Sequence, residues 1–278
     1  MPATLTLLTL GGLANRMRAI ASAMALGRDS GRTVRVIWPV NRELAATFGE
    51  LFQFTGLLPE ILNVSEAKAL WFYRPARKRN LFLSPLFRAG KFEAVYSDET
   101  TLRTENASEI LQSIKSARGE ILLRAGTFFY PCNPEDYRAL FIPIDAVRDE
   151  ADGILAMLGD DATGFHIRRT DNAVAIAESP LEAFMTRAEE EFSTAPGRKI
   201  YLATDDDSVK QLFHNRFPGK IVTTEATADR LTSAGMRHAL TEMLVLAGCN
   251  RIVGSFYSSY SEAAAILGDT PLSQIRKA

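Results

Sequence analysis

The chain has 278 residues, of which 46% are hydrophobic and 23% are charged, a balance typical of globular proteins with enough apolar surface for one large or two mid-sized domains. Lysine and arginine number 32 against 33 aspartates and glutamates, so the net charge of -1 excludes a general attraction to nucleic acid. Two cysteines and three scattered histidines give neither a disulfide framework nor a zinc-ligand spacing, and they favour a reducing cytoplasm.

The first half of the chain predicts strands and helices in an irregular succession. A strand is expected at 4–10, an amphipathic helix at 13–28, a second strand at 33–38 and, after a long mixed stretch, a third strand at 120–126. The first apolar run lacks the basic start of a signal peptide, and no run reaches about 18 uninterrupted apolar residues. We therefore expect neither export by that route nor an anchoring helix.

The second half alternates strands and helices clearly. Short β-rich runs lie at 162–167, 199–203, 220–224 and 251–255, and segments of helical periodicity lie at about 180–192, 206–216, 234–248 and 258–267. This alternation predicts a parallel, doubly wound sheet. We therefore expect an α/β protein with two Rossmann-type domains, 1–150 and 151–278, that face a ligand cleft at the carboxyl ends of both sheets.

A glycine-containing loop follows the first predicted strand and opens the first helix. Gly11 and Gly12 in LGGLANRMRAI (10–20) permit a tight turn in which backbone N–H groups approach an anion. The loop has neither the G-x-G-x-x-G nor the G-K-[ST] signature. An ordinary strand-to-helix turn is therefore an equally good interpretation.

The segment GFHIRRTDN (164–172) places four polar groups where an apolar strand ends. His166 and Arg168 share one face of the strand, because strand side chains alternate. A guanidinium presents a fork of donors that matches phosphate oxygens, so Arg168 suits a diphosphate that completes the cluster from outside. Arg169 is expected to brace the loop through Asp171. The alternative is an internal arginine–aspartate pair beside a structural histidine.

Three successive acids follow the predicted strand at 199–203. Asp205, Asp206 and Asp207 could bind a divalent cation. The favoured interpretation is a helix start, where exposed N–H groups and the helix dipole attract negative charge.

The last third of the chain carries an acid on an apolar helix and then a hydroxyl-rich turn. Glu242 lies on the predicted helix 234–248, and the turn runs from Ser255 to Ser261, which is a second candidate anion cradle. The alternatives are N-capping by Ser258 and Ser261 and an i,i+4 pairing of Glu242 with His238.

Together these segments resemble the superfamily of α1,6-, α1,2- and protein-O-fucosyltransferases. GFHIRRTDN resembles its His-x-Arg-Arg-x-Asp motif, GGLANR its Gly-Gly-x-x-Asn loop, and YLATDD its Tyr-x-Ala-Thr-Asp-Asp strand end. EMLVLAGCNRIVGSFYSSYSEAA resembles its acidic helix, strand and serine-rich turn. The resemblance spans residues 10 to about 266 in the family's order. It implies a soluble, bacterial-type member with a GT-B fold.

The resemblance also implies an activity. The donor would be GDP-fucose, bound mainly by the C-terminal domain, with the N-terminal domain on the acceptor side. Transfer to a glycan or glycoconjugate, such as a surface polysaccharide, would be inverting and would need neither metal nor cofactor. Two alternatives stay open, a metal-dependent glycosyltransferase that uses another nucleotide sugar and a non-catalytic module that binds one.

Roles for individual residues follow from the resemblance. Arg168 would hold the β-phosphate of the departing GDP beside Arg169, His166 would lie by the nucleotide, and Ser258 and Ser259 would line the phosphates. Further implied donor contacts are Gly11, Gly12, Asn15, Arg16, Asp171 and Glu242. Glu242 stands where the α1,6 branch has a guanine-contacting aspartate. The catalytic glutamate proposed for that branch has no clear counterpart, because Glu178 is nearby but shifted. Asp205 and Asp206 are further site candidates, through the divalent cation that the metal-dependent alternative would need.

A basic, aromatic segment lies between Glu66 and Glu93. It has no acid, and its basic and aromatic residues are Lys68, Trp71, Phe72, Tyr73, Arg74, Arg77, Lys78, Arg79, Phe82, Phe87, Arg88, Lys91 and Phe92. A surface formed by residues 68–91 suits an anionic glycan or the inner face of a membrane. The alternative is a solvated loop whose aromatic side chains pack on the N-terminal domain.

Overall fold

The computed structural model describes residues 3–73, 83–170, 173–224 and 229–277. The chain forms two compact units: Met1–Ile142 with Arg230–Ser233, and Pro143–Asp229 with Ala234–Ala278. Residues 230–233 belong to the first unit although they lie between two segments of the second. No periodic pattern in the sequence indicates this. None of the helices in the described part of the chain has the length and apolar character needed to span a bilayer.

The first unit is built on a parallel five-stranded sheet. Its strands are β1 (Thr4–Thr9), β2 (Thr33–Val40), β3 (Glu60–Ser65), β4 (Ala94–Ser97) and β5 (Ile121–Ala125), in the order β3-β2-β1-β5-β4. Its helices are α1 (Leu13–Ser30), α2 (Glu66–Tyr73), α3 (Leu83–Lys91), α4 (Ala107–Ser116) and α5 (Pro134–Leu140). The three predicted strands are confirmed as the inner strands β2, β1 and β5. The edge strands β3 and β4 lie in the stretch without a clear pattern, because β3 has no fully buried side chain and β4 is only four residues long.

The second unit has a parallel sheet of the same size. Its strands are β6 (Ala162–Ile167), β7 (Lys199–Thr204), β8 (Ile221–Val222), β9 (Arg251–Ser255) and β10 (Leu272–Ile275), in the order β10-β9-β6-β7-β8. Its helices are α6 (Asp145–Leu158), α7 (Ala173–Glu178), α8 (Leu181–Thr194), α9 (Asp207–Arg216), α10 (Ser233–Gly248) and α11 (Ser259–Gly268). The predicted α/β class is confirmed, and both sheets have Rossmann-like parallel connectivity.

The strand predicted at 220–224 is too long. Ile221 and Val222 alone pair with β7, because the next two residues use their polar groups differently. The Thr223 hydroxyl donates to the Leu202 carbonyl at 2.8 Å, and the Thr224 carbonyl accepts from Lys210 at 3.1 Å. The chain therefore leaves the sheet at Thr223.

Strand β6 is the buried centre of the second unit. Phe165 packs on Phe184 of α8 and Phe213 of α9, with ring centroids 6.1 and 6.2 Å apart. On the opposite face, a Cβ atom at Gly164 would lie 2.8 Å from Cδ2 of Leu246, so this glycine lets α10 pack closely on the sheet. Burial on both faces fixes β6 and therefore fixes the position of the polar residues that follow it.

Candidate functional site

The carboxyl ends of three neighbouring strands bring the polar motifs of the second unit together. Arg168 follows β6, Asp205 follows β7, and Ser258 lies three residues after β9, and these strands are adjacent in the order β9-β6-β7. In parallel sheets of this kind, ligands bind outside the carboxyl ends of the strands. This edge of the sheet is the candidate site.

His166 is a buried imidazole that faces two hydroxyl groups. Its Nδ1 atom lies 3.3 Å from the Ser258 Oγ and 3.4 Å from the Ser261 Oγ. Its ring lies 4.7 Å from the Tyr260 ring. Burial, reinforced by the positive charge of Arg168 and opposed by Asp205, lowers the pKa of His166 to about 3. The imidazole is therefore neutral at physiological pH and contributes hydrogen bonds rather than charge.

Ser258 occupies the N-cap position of α11, but its side chain does not cap the helix, so the capping alternative is wrong for this residue. Its hydroxyl turns to His166 instead of the first-turn amides. Ser261 likewise directs its hydroxyl to His166 and to the Ser258 carbonyl, 3.3 Å away. A helix start whose N-cap hydroxyl is used elsewhere can offer its first-turn N–H groups to an anion. Ser259 is the first residue of this helix.

Arg168 has a carboxylate partner within the second unit. Its Nε atom lies 3.3 Å from Asp205 Oδ2, and its side chain is 19% exposed. Its backbone N–H donates to the Ser255 hydroxyl at 3.0 Å. The internal arginine–aspartate pair left open as an alternative is thus present, with Asp205 as the acid, while Asp171 lies outside the described residues.

Asp205 also fixes the loop that follows β6. Its Oδ1 accepts the Arg169 N–H at 2.7 Å, and its Oδ2 accepts the Thr170 hydroxyl at 2.7 Å and the Thr170 N–H at 3.3 Å. One carboxylate therefore binds two amides, a hydroxyl and a guanidinium. No local pattern indicates this role, because the acid lies 36 residues from Arg169 in the chain.

Arg169 braces the same loop from the other side. Its Nη2 donates to the Ser179 carbonyl at 2.7 Å, and burial is the main reason that its pKa is lowered. The Ser179 hydroxyl donates to the Ile275 carbonyl at 2.6 Å and accepts from the Phe256 N–H at 2.8 Å. The expected brace is present, with Ser179 as the described partner.

Asp206 behaves as the helix-start interpretation predicts. It is the N-cap of α9, and its Oδ1 accepts the Ser208 N–H at 2.9 Å and the Ser208 hydroxyl at 2.6 Å. These bonds lower the pKa of Asp206. Within the described ranges, no three His, Cys, Asp or Glu side chains are grouped as a metal ion would require.

Glu242 is a buried carboxyl group next to Thr224, which follows β8. It is 4% exposed, and its Oε1 accepts the Thr224 hydroxyl at 2.9 Å. His238 Nε2 lies 3.0 Å from the same hydroxyl and 3.8 Å from Glu242 Oε1, so the expected proximity is confirmed, with Thr224 as the bridge. Burial raises the pKa of Glu242 to about 7, against the lowering effects of Thr224 and Lys210. This carboxyl therefore titrates near neutral pH.

The buried side chain of Arg16 supports the glycine loop of the first unit. This guanidinium is fully buried and donates to the Gly11 carbonyl at 2.8 Å, the Pro39 carbonyl at 2.5 Å and Asn41 Oδ1 at 2.9 Å. Burial lowers its pKa to about 10. Arg16, an expected donor contact, thus lies inside the first unit as a structural support of the loop.

The loop itself is tightly built. Gly11 has a φ of 75°, and a Cβ atom there would lie 2.5 Å from Nδ2 of Asn15, so glycine is required. Gly12 is the N-cap of α1. The Gly11 N–H donates to Glu43 Oε2 at 3.1 Å, which shows that this loop accepts an anionic group. No motif in the sequence points to Glu43.

Glu178 is the last residue of α7 and directly precedes Ser179, the partner of Arg169. Its Oε2 is 3.5 Å from Nε of Arg276, and its carbonyl accepts the Lys277 N–H at 2.7 Å. These contacts give it a structural role at the C-terminus of the chain.

The sequence matches no protein-family model and no curated protein, whereas solved structures resemble it over nearly its full length. The α1,6-fucosyltransferase NodZ soaked with GDP-fucose is 16% identical; the match covers 96% of this chain and 93% of NodZ, with a TM-score of 0.64. A further structure of NodZ, from Bradyrhizobium, has a TM-score of 0.67. Arabidopsis thaliana FUT1 R284K with GDP is 13% identical, with 98% and 70% covered and a TM-score of 0.62. POFUT1 with GDP-fucose is 10% identical, with 98% of each chain covered and a TM-score of 0.56. The two parallel-sheet units therefore have the GT-B fold of these fucosyltransferases.

Proposed function

We propose that the protein is a glycosyltransferase that transfers fucose from GDP-fucose to a glycan or glycoconjugate. The observation that carries this proposal is the position of Arg168. It is a partly exposed guanidinium at the carboxyl end of the central strand β6, among His166, Ser258 and Asp205. The same fold is found in NodZ soaked with GDP-fucose and in POFUT1 in complex with GDP-fucose. A rigid fork of donors there suits a diphosphate.

The transfer reaction needs groups that stabilise negative charge on the departing diphosphate, and this edge of the sheet provides them. The oxygen of an acceptor hydroxyl forms a bond to the anomeric carbon and gives up its proton to the surrounding water. The bond from that carbon to the β-phosphate oxygen breaks, and its electron pair leaves with GDP. Negative charge grows on the diphosphate as the sugar becomes oxocarbenium-like. Arg168 and the first-turn amides of α11 would stabilise that charge. We propose that no metal or cofactor takes part, since Asp205 and Asp206 are engaged by Arg168, the loop amides and Ser208.

Glu242 would select the nucleobase. An ionised carboxylate can accept hydrogen bonds from the ring N–H and the amino group of guanine, and uracil presents no such pair of neighbouring donors. The partner of Glu242, Thr224, follows β8, two strands from β6, so base and diphosphate would lie side by side along the sheet edge.

The first prediction concerns ligand choice. GDP and GDP-fucose should raise the melting temperature in a fluorimetric panel, whereas UDP, ADP and NAD should not, because a ligand at 100 times its Kd stabilises the folded state by about 2.7 kcal/mol. A larger shift with UDP than with GDP would contradict the guanine assignment. Transfer abolished by EDTA and restored by manganese would favour the metal-dependent alternative. Binding without donor hydrolysis or transfer to any acceptor would favour the non-catalytic module.

The second prediction follows from the raised pKa of Glu242. The unfolded carboxyl ionises near its ordinary value of 4.5 and the folded one near 7, so the free energy of unfolding of the apo protein should fall as pH rises through this window. Glu242→Gln should remove that loss of stability. The stability of the variant relative to wild type should therefore be greater at pH 8 than at pH 5. Urea denaturation at both pH values measures this.

The same variant tests the nucleobase role. GDP affinity of the wild type should increase as pH rises through about 7, because the ionised carboxylate is the form that accepts two N–H groups. Glu242→Gln should bind GDP weakly at every pH. A wild-type GDP affinity that is flat between pH 6 and 8 and matched by the variant would contradict the assignment.

The third prediction separates the two arginines. Arg168→Ala should lower turnover by about 10²–10³ with little change in melting temperature, because it removes a donor that acts as the phosphate leaves. Arg168→Lys should not restore turnover, since the two-pronged geometry is lost. Arg169→Ala should lower the melting temperature together with activity, because its bond to the Ser179 carbonyl braces the loop. Near-normal turnover of Arg168→Ala would show that this arginine is structural.

The segment 68–91 forms two helices and not a loop where the structure describes it. Phe72, Phe87 and Phe92 pack with Leu8 and Leu122 on the sheet of the first unit, which confirms inward packing for these aromatic side chains. Arg74, Arg77, Lys78, Arg79 and Phe82 lie outside the described residues. Trp71 on α2 and Leu83 and Leu86 on α3 remain exposed, close in sequence to exposed Lys68 and Lys91.

We propose that this exposed face touches an anionic membrane surface on the cytoplasmic side, where a surface polysaccharide or other glycoconjugate is assembled. Leu83→Glu with Leu86→Glu should abolish binding to phosphatidylserine vesicles and leave GDP affinity unchanged, because both side chains are exposed. Leu212→Glu, on an exposed position of α9, is the matched control. Added salt should weaken wild-type binding, since exposed charges are screened over about 10 Å at 0.1 M. Unchanged vesicle binding by the double variant would exclude this surface.

A further inference from the structure

The turn between β9 and α11 contains a tyrosine in a left-handed backbone conformation. Among the described residues, two that are not glycine have a positive φ: Tyr257 at 57° and Asp269 at 54°. Asp269 is the C-cap of α11 and its N–H bonds to the Ala265 carbonyl, a position where helices often end in this conformation. Tyr257 lies directly before the N-cap of the same helix, where helix termination does not account for it. A bulky residue is strained in this region, and glycine is not.

The side chain of Tyr257 is presented to solvent. It is 69% exposed, while its neighbour Phe256 is half-buried with the Arg276 guanidinium 4.5 Å above its ring. The next residue is Ser258, whose hydroxyl reaches His166. Strain of this kind concentrates at ligand-binding positions, where surrounding contacts maintain it. The turn thus holds a large exposed ring at the edge of the candidate site.

The strand order locates this ring relative to the other groups. From one side of the sheet to the other, the carboxyl ends carry Thr224 with Glu242 at β8, Asp205 at β7, Arg168 at β6 and Tyr257 at β9. Neighbouring strands are about 4.8 Å apart. A donor with its base at Glu242 and its diphosphate at Arg168 therefore extends its sugar toward β9 and Tyr257.

We propose that Tyr257 is a specificity-determining residue on which the apolar face of the donor's 6-deoxy sugar packs. This inference rests on the proposed function and names the contact that distinguishes the sugar nucleotide from free GDP. An aromatic ring offers a large apolar surface to the C–H face of a pyranose, and a methyl group in place of a hydroxymethyl adds apolar surface to be buried. The energetic cost of the left-handed tyrosine is offset by this contact when the donor binds.

The test compares GDP and GDP-fucose by calorimetric titration of wild type, Tyr257→Gly and Tyr257→Phe. Tyr257→Gly should bind GDP like wild type but GDP-fucose about two- to tenfold more weakly, the range that aromatic contacts contribute. Its melting temperature should be equal or higher, because glycine relieves the positive φ. Tyr257→Phe should keep both affinities.

Two further variants control for the backbone. Asp269→Gly relieves the same conformation at the other end of α11 and should leave both affinities unchanged. Tyr257→Asn removes the ring but tolerates the left-handed region, so it should reproduce the selective loss even where the glycine variant folds poorly.

The outcomes separate the inference from the proposed function. Equal weakening of GDP and GDP-fucose, or no weakening of either, in Tyr257→Gly and Tyr257→Asn would overturn the role of Tyr257 and leave the proposed donor in place. A wild-type protein that binds neither ligand would overturn the proposed function and this inference with it.

Discussion

The carboxylate of Asp205 is the contact on which the candidate site depends. It joins the ends of β6 and β7 by accepting hydrogen bonds from two backbone N–H groups and one hydroxyl and by forming an ion pair with Arg168. Hydrogen bonds to an ionised acceptor are stronger than neutral ones. Without Asp205, the N–H groups of the loop after β6 would bond to water, and the Arg168 side chain would adopt many rotamers. Because Asp205 fixes both, Arg168 can be partly exposed and still hold one orientation.

Burial then sets the charge of the groups around this contact. It pushes the pKa of His166 down to about 3 and the pKa of Glu242 up to about 7, in opposite directions because one group is a base and the other an acid. The imidazole is thereby uncharged beside Arg168, which avoids a second positive charge next to the first. The carboxyl can change its charge near neutral pH, as a group that exchanges internal partners for a ligand's N–H donors would need to do.

The two units treat their anion-binding loops differently. In the first unit, the buried Arg16 supports the glycine loop, whose amide at Gly11 already contacts the carboxylate of Glu43. In the second unit, the hydroxyl of Ser258 turns to His166 instead of capping α11. The two helix starts therefore differ: a carboxylate already contacts the turn before α1, whereas the N-cap hydroxyl of α11 contacts an imidazole.

By itself, the sequence determined the features that depend on neighbours along the chain. Continuous apolar runs predicted the inner strands such as β6, and the acids at 205–207 predicted the start of α9, because period and helix-capping preference act over a few residues. The edge strands β3 and β4 were not predicted, since β3 has no fully buried side chain and β4 is too short to show a pattern. Only the tertiary structure decided that Arg168 pairs with Asp205, that Ser258 faces His166 instead of capping its helix, and that Arg16 is buried beneath its loop. Each of these partners is distant in sequence or chosen by strand order, and strand order arises from packing the whole sheet.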